Sequence, residues 1–258
     1  MLNVNKVYAM ATMTIKESIK NRIVYAVFTA SAMMFMMIYA VASVTMGDTG
    51  QIMIDTGSGV ITIIVDIMAI VMTIESFKND REGRNLFVLL PACGCRWRYI
   101  TGKSIGLMVM SAIITISLLT VLDLSAMLYG HVHPISIFQS SITIVEEGMM
   151  ATAIASLFAQ GSSFLASILM TCATVFAGHY IYIIKSFTNS IHNVFLQTSG
   201  KMISWILPDF YSISLRSSAG YINAYDWSLL FHITCYVIFE VVAILTLSAI
   251  IFSRKDIS

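Results

Sequence analysis

An all-α integral membrane protein with six transmembrane helices is the fold class this sequence predicts, and three observations predict it. Six apolar stretches, Ile23–Met46, Gly59–Glu75, Ser104–Tyr129, Ile137–Ala159, Phe164–Lys185 and Ser228–Phe252, are separated by polar joints. Most reach the roughly 20 residues that carry a helix across about 30 Å of hydrocarbon. The composition agrees: 57% of residues are hydrophobic, 11% are charged and the mean hydropathy is +0.82, against about 25% charge in a soluble domain. The third observation is where the positive charge lies. Lys6, Lys16, Lys20 and Arg22 precede the first stretch. Lys78, Arg81, Arg84, Arg96, Arg98 and Lys103 fall between the second and third, and Arg254 and Lys255 follow the last. These are twelve of the 15 basic residues, leaving Lys185, Lys201 and Arg216 for the opposite face. The positive-inside rule then puts both termini and the second joint in the cytoplasm, with Asp48 and Asp55 outside. The whole chain, 1–258, reads as one transmembrane domain.

Before the first span, Val4, Val7, Tyr8, Ala11, Ile15 and Ile19 recur at steps of three and four, with Lys6, Lys16 and Lys20 on the other side. Residues 1–22 therefore predict an amphipathic helix lying in the cytoplasmic interface. The first span is too long for a signal-peptide core and has no evident cleavage site, so it is expected to stay in place. Clustered Met33, Met34, Met36 and Met37 within it suit flexible packing rather than a metal set.

The joint 76–101 is the richest segment. A charged stretch from Lys78 to Arg84 leads into the apolar run Leu86 to Leu90, which Pro91 and Gly94 stop. A short helix of that make-up at the mouth of two spans suits either docking into a cytoplasmic partner or anchoring in lipid. Cys93 and Cys95 flank Gly94 with no neighbouring His or Cys, and two reduced thiols in a turn fit them better than a metal site.

Five carboxylates fall inside the predicted spans: Asp66, Asp123, Glu146, Glu147 and Glu240. Each costs on the order of 2.5–3.5 kcal/mol to insert and so needs a partner, a proton or water. They either line a translocation path or a subunit interface, or, for Asp66 and Asp123, stay neutral or bonded to Ser and Thr on neighbouring spans. Glu146 and Glu147 diverge by about 100° on a helix and cannot face one cavity together. The outer stretch 186–227 is too apolar for a free loop, with Ile191, Phe195, Trp205 and Leu207. It predicts short helices dipping back into the outer leaflet.

No phosphate-binding loop is present. Gly102-Lys103-Ser104 has Trp97 where the first Gly of that motif belongs, so ATP is not expected on this chain. No His-Glu-x-x-His pattern occurs, and the basic residues follow the membrane surface rather than a nucleic-acid groove.

Asp80, Glu82, Gly83, Leu89, Leu90, Pro91, Arg96 or Arg98, Tyr99, Gly102 and Lys103 occur in this order across the second joint. This resembles the corresponding joint of ABC-2 type permeases, the membrane subunits of ATP-driven exporters. Ile206-Leu-Pro208-Asp-Phe with Leu215-Arg216, and the tail Phe252-Ser-Arg254-Lys-Asp256, are similar to two further stretches of that family. The resemblance implies an ABC-2, type V exporter-like fold with residues 1–22 as its elbow helix and re-entrant helices in 186–227. It implies that Asp80, Glu82, Gly83, Leu89, Pro91, Arg96, Gly102 and Lys103 couple to a cytoplasmic ABC ATPase dimer that carries ATP and Mg. It also implies a second permease copy or paralogue, a bacterial inner membrane, and Pro208 and Arg216 at an outer gate. This chain itself would bind no cofactor and catalyse nothing. Two other classes stay open: an ion-coupled secondary carrier using the buried carboxylates, and an intramembrane hydrolase built on Ser58 or another Ser with His179.

Overall fold

The computed structural model describes residues 2–44, 49–82, 96–129, 133–190, 197, 198, 200, 202, 204, 207–215 and 224–254. Among them nine helices follow in order and there is no strand: α1 (Leu2–Ile19), α2 (Arg22–Val44), α3 (Thr49–Glu82), α4 (Arg96–Tyr129), α5 (Pro134–Gly161), α6 (Phe164–His179), α7 (Ile181–Ser190), α8 (Phe210–Ile213) and α9 (Trp227–Arg254). Four are long and apolar enough to cross a membrane: α3 over Gly50–Glu82, α4 over Arg96–Leu128, α5 over Pro134–Gly161 and α9 over Trp227–Ser253. The pair Phe164–His179 and Ile181–Thr188 makes a fifth if it is one span, but it is bent by 63°. The expected first span falls on α2, whose apolar stretch Val27–Ala40 is shorter. The chain has the make-up of a helical membrane protein.

Packing explains the arrangement. The central helix α5 starts on Pro134, which suits a first helical turn because its missing N–H has no partner to lose there. Its buried side is small: Ala151, Thr152, Ala153, Ala155, Ser156 and Ala159 are all fully buried. Small residues let neighbouring backbones approach where lipid gives helices no hydrophobic reason to associate. At Gly148 a β-carbon would come 2.7 Å from Val65 Cγ1, so α3 and α5 meet closely there. The long helix α3 packs against α2, α4, α5 and α6, and Met68, Ala69, Met72, Leu107 and Ile154 form part of the shared core.

Two elements differ from the expectation. The second span begins at Thr49, ten residues before Gly59, because Asp55 to Gly59 continue the helix instead of forming a joint. Gly57 there lets Leu122 lie against the backbone. The apolar stretch predicted as the fifth span is broken at Tyr180, whose φ of −98° and ψ of 15° lie in the sparsely used bridge region.

The arm α1 packs on α4 by a side that overlaps the predicted apolar stripe only in part: Ala11 of the stripe is buried, and Val7 and Ile15 are partly so. Its buried residues are Met10, Ala11, Thr14 and Ser18, while Tyr8 and Ile19 of the predicted apolar stripe face outward. The reason lies in α4. A β-carbon on Gly102 would stand 2.9 Å from Met10 Cβ, and one on Gly106 would stand 2.7 Å from Ala11 O. Gly102-x-x-x-Gly106 is thus a small-residue notch that α1 fills with its own small side chains.

Candidate functional site

At one end of the bundle the last turns of α3, the first turns of α4 and the last turn of α9 converge. Lys103 is 0% exposed at its side chain and Asp80 is 2% exposed, with Nζ 2.5 Å from Oδ2. Burying an ion pair carries a heavy desolvation cost unless further hydrogen bonds support it, and here two do. Lys103 also donates to Ser76 O at 2.8 Å, and the Tyr99 hydroxyl donates to Asp80 Oδ2 at 2.5 Å. The ammonium lies 5.2 Å from the Phe77 ring centre and 5.9 Å from that of Tyr99, close enough for cation–π attraction. Tyr99 in turn stacks on Phe252 of α9 at 6.0 Å.

Around this lock, cations meet helix C-termini, where unpaired carbonyls collect negative potential. The Arg81 guanidinium donates to Ala159 O in the last turn of α5, and Arg96 donates to Ser253 O at 3.1 Å in the last turn of α9. Lys78 lies 4.6 Å over the Phe164 ring at the start of α6. Glu82, by contrast, is 68% exposed and among the described residues pairs with Lys78 at 3.8 Å, an exposed pair of small energetic worth. Of the joint residues singled out by sequence, Asp80, Arg96, Gly102 and Lys103 thus belong to one packed end. Gly83, Leu89 and Pro91 lie outside the described residues.

The second cluster stands where α6 breaks. His179, the last residue of α6, places Nε2 3.0 Å from Asp66 Oδ2, roughly midway along α3. Asp66 Oδ1 is buried and has no hydrogen-bond partner among the described residues. Both residues line a cavity of about 630 Å³ between α3, α6 and the segment around α8. That segment is drawn against the break because Gly178 has no side chain: a β-carbon there would be 2.7 Å from Pro208 O and 2.6 Å from the Phe210 ring. Pro208 is buried, and Arg216 lies outside the described residues.

Asp209 fixes this segment. Its carboxylate accepts from Lys185 Nζ at 2.6 Å and from Ser212 N at 2.9 Å, and its own N–H donates to the Tyr236 hydroxyl at 3.1 Å. Partial burial pushes the carboxyl pKa up, but the bonds from Lys185 and Ser212 outweigh it and hold the group below its usual range. Further along, Gln139 clamps the approach to α9, donating to Tyr225 O at 3.1 Å and accepting from Tyr225 N at 2.7 Å.

The other predicted carboxylates sit at separate seams. Asp123 accepts from Ser141 at 2.9 Å between α4 and α5, and Glu146 accepts from Thr234 at 2.7 Å between α5 and α9. Glu147 is fully buried on α5, and Glu240 is half-buried on α9. The structure does not gather Asp66, Asp123 and Glu146 at one seam. Among the described residues no group of three or more His, Cys, Asp or Glu side chains is placed to hold a metal ion.

Two features escaped the sequence reading. The pairing of Asp66 with His179 spans 113 residues, although an ionisable residue deep in an apolar run is itself a signal. The Gly102/Gly106 spacing was legible as a small-x-x-x-small pattern. No family model matches this chain, and no curated protein matches it either.

Proposed function

We propose that this chain is the permease subunit of an ATP-driven exporter of the ABC-2 kind. In this reading six spans are formed by α2, α3, α4, α5, the bent pair α6–α7, and α9. The arm α1 is the elbow, and the segment holding α8 belongs to a re-entrant outer region. Both termini lie in the cytoplasm of a bacterial cell, and the permease pairs with a second copy or a paralogue. Two cytoplasmic ATPase subunits bind and hydrolyse ATP.

One observation carries the reading. The helices that flank the 76–101 joint, α3 and α4, are 34 residues each, about 51 Å long against about 30 Å of hydrocarbon. The buried Asp80–Lys103–Tyr99 lock ties them together where they emerge. A joint set on two locked helices, with α1 and the end of α9 braced against them, is a stiff lever. Force applied to it by a docked partner passes into α3 and α4 rather than being lost in loop motion. Glu82 is the exposed acidic residue at its rim.

The test is co-purification in detergent with a P-loop ATPase encoded beside this gene. Glu82→Lys with Leu89→Asp is expected to cut the recovered complex and the stimulated ATP hydrolysis at least about tenfold, the loss of roughly 1.4 kcal/mol of binding. An unchanged complex counts against the lever.

A second reading, an ion-coupled carrier, draws on the Asp66–His179 pair at mid-helix. It predicts gradient-driven uptake by the chain alone in proteoliposomes. The hydrolase reading receives less support. His179 is engaged with Asp66, eight residues or roughly 12 Å along α3 from Ser58, and the Ser58 hydroxyl turns to Asp55 O at 3.4 Å.

A further inference from the structure

The cavity beside the α6 break carries a recognition pattern for a ligand. Asp66 is 8% exposed; His179 holds one carboxylate oxygen, and the other, Oδ1, is buried without a hydrogen-bond partner among the described residues. Ser214, from the segment after α8, lines the same cavity, and its Oγ is a second such buried atom without a hydrogen-bond partner among the described residues. Leaving a buried carboxylate oxygen unmet is expensive, so the site suits a donor that the described residues do not supply.

The rest of the lining defines that donor. Phe176, Tyr180 and Tyr211 present rings to the cavity, with Phe176 and Tyr180 4.6 Å apart and Tyr211 stacked on Tyr182 at 5.1 Å. Aromatic faces beside a carboxylate attract an organic cation. The volume, about 630 Å³, is that of a site for a molecule of some tens of atoms and far exceeds a bare metal ion. At the mouth, Ile63, Ile67 and Phe176 are exposed on the flanks of α3 and α6, so the entrance is apolar and opens sideways. We propose that this cavity binds a lipophilic organic ammonium ion, whose N–H donates to the Asp66 carboxylate while its apolar body lies against Phe176, Tyr180 and Tyr211.

His179 is the positioning residue. As neutral imidazole it donates Nε2–H to Oδ2, fixes the carboxylate plane and leaves the pair with one net negative charge. As imidazolium it would cancel that charge. This inference requires a membrane-type helical chain and no ATPase, so failure to find an ATPase complex leaves it standing.

The experiment is isothermal titration of the purified full-length chain in neutral maltoside micelles. The probes are 4-phenylbutylammonium and its uncharged counterpart, 4-phenylbutan-1-ol. The ammonium is expected to bind saturably and at least about tenfold tighter than the alcohol, as a charge-assisted bond in a buried site gives. Asp66→Asn, which keeps the shape of the side chain, erases the preference. Phe176→Leu, on an exposed ring, weakens the ammonium about two- to fivefold and the alcohol by less. Equal binding of the two probes, or a preference that survives Asp66→Asn, overturns the proposal. Should Asp66→Asn fail to fold, an unaltered ammonium affinity in Phe176→Leu overturns it instead.

Discussion

Lys103 is a charged side chain with no exposure to solvent, and nothing about its position in the sequence, immediately before the apolar run Ser104–Tyr129, announces that. Its tolerance there comes from Asp80, Ser76 O and two aromatic rings acting together. The pair is therefore asymmetric in its response to substitution. Removing one charge strands the other in a low-dielectric site, and the expected loss is about 3–5 kcal/mol. Asp80→Asn or Lys103→Met alone should thus lower the thermal unfolding midpoint in maltoside micelles by on the order of 10 °C. Asp80→Leu combined with Lys103→Met leaves no stranded charge and should recover most of that loss, a coupling that a double-mutant cycle isolates. If both single changes prove mild and the double adds them up, the two groups do not act as a buried pair. Tyr99 belongs to the same unit through its bond to Asp80, whereas Glu82, exposed one turn away, should tolerate Gln with little effect.

At the scale of elements, the crossing of α1 on α4 is set by two absent side chains. A branched residue at Gly106 would have to displace Ala11 O and Thr14 Cβ, 2.7 and 2.9 Å from the added atom, and backbone yields less readily than a side-chain tip. Gly106→Val should therefore cost about 1–3 kcal/mol and free α1, read as faster amide exchange confined to residues 2–19; unchanged protection there would mean α1 is not held by the notch. The helices themselves were largely legible, because apolar runs and charge boundaries write their length directly: Ile137–Ala159 lies inside Pro134–Gly161, and Ser228–Phe252 inside Trp227–Arg254. Other features depend on tertiary contact and left weaker marks. The start of α3 was misplaced because Asp55, Thr56, Gly57, Ser58 and Gly59 look like a joint, yet Gly57 is there for Leu122. The break at Tyr180 has no proline to announce it. Beside it Pro208 and Phe210 meet the backbone at Gly178, a contact across 30 residues of sequence that local periodicity cannot register. The carboxylates were legible as costly residues, but which partner each one meets was not.

At the scale of the molecule, the proposed role requires the Asp80–Lys103 end and the Asp226 end of the bundle to lie on opposite sides of the membrane. The long helices supply the geometry: Glu82 is sixteen residues, or about 24 Å, along α3 from Asp66, while Asp226 immediately precedes the long helix α9. Glu82 is well exposed, and so is Asp226, whose carboxyl is held low by the hydroxyl and N–H of Ser228. Either can be replaced by Cys without disturbing a buried contact. With Cys93, Cys95, Cys172 and Cys235 changed to Ser, an impermeant maleimide added to intact cells should label Asp226→Cys and spare Glu82→Cys. Permeabilising the cells should then expose both. Labelling of Glu82→Cys from outside would turn the charged joint away from any cytoplasmic motor and remove the basis for the exporter reading. Labelling of both from outside would instead mean that α3 and α9 do not have the crossings assigned to them. The positive-inside rule alone orients the chain by charge statistics; this pair of positions orients it by two measured ends of the same packed bundle.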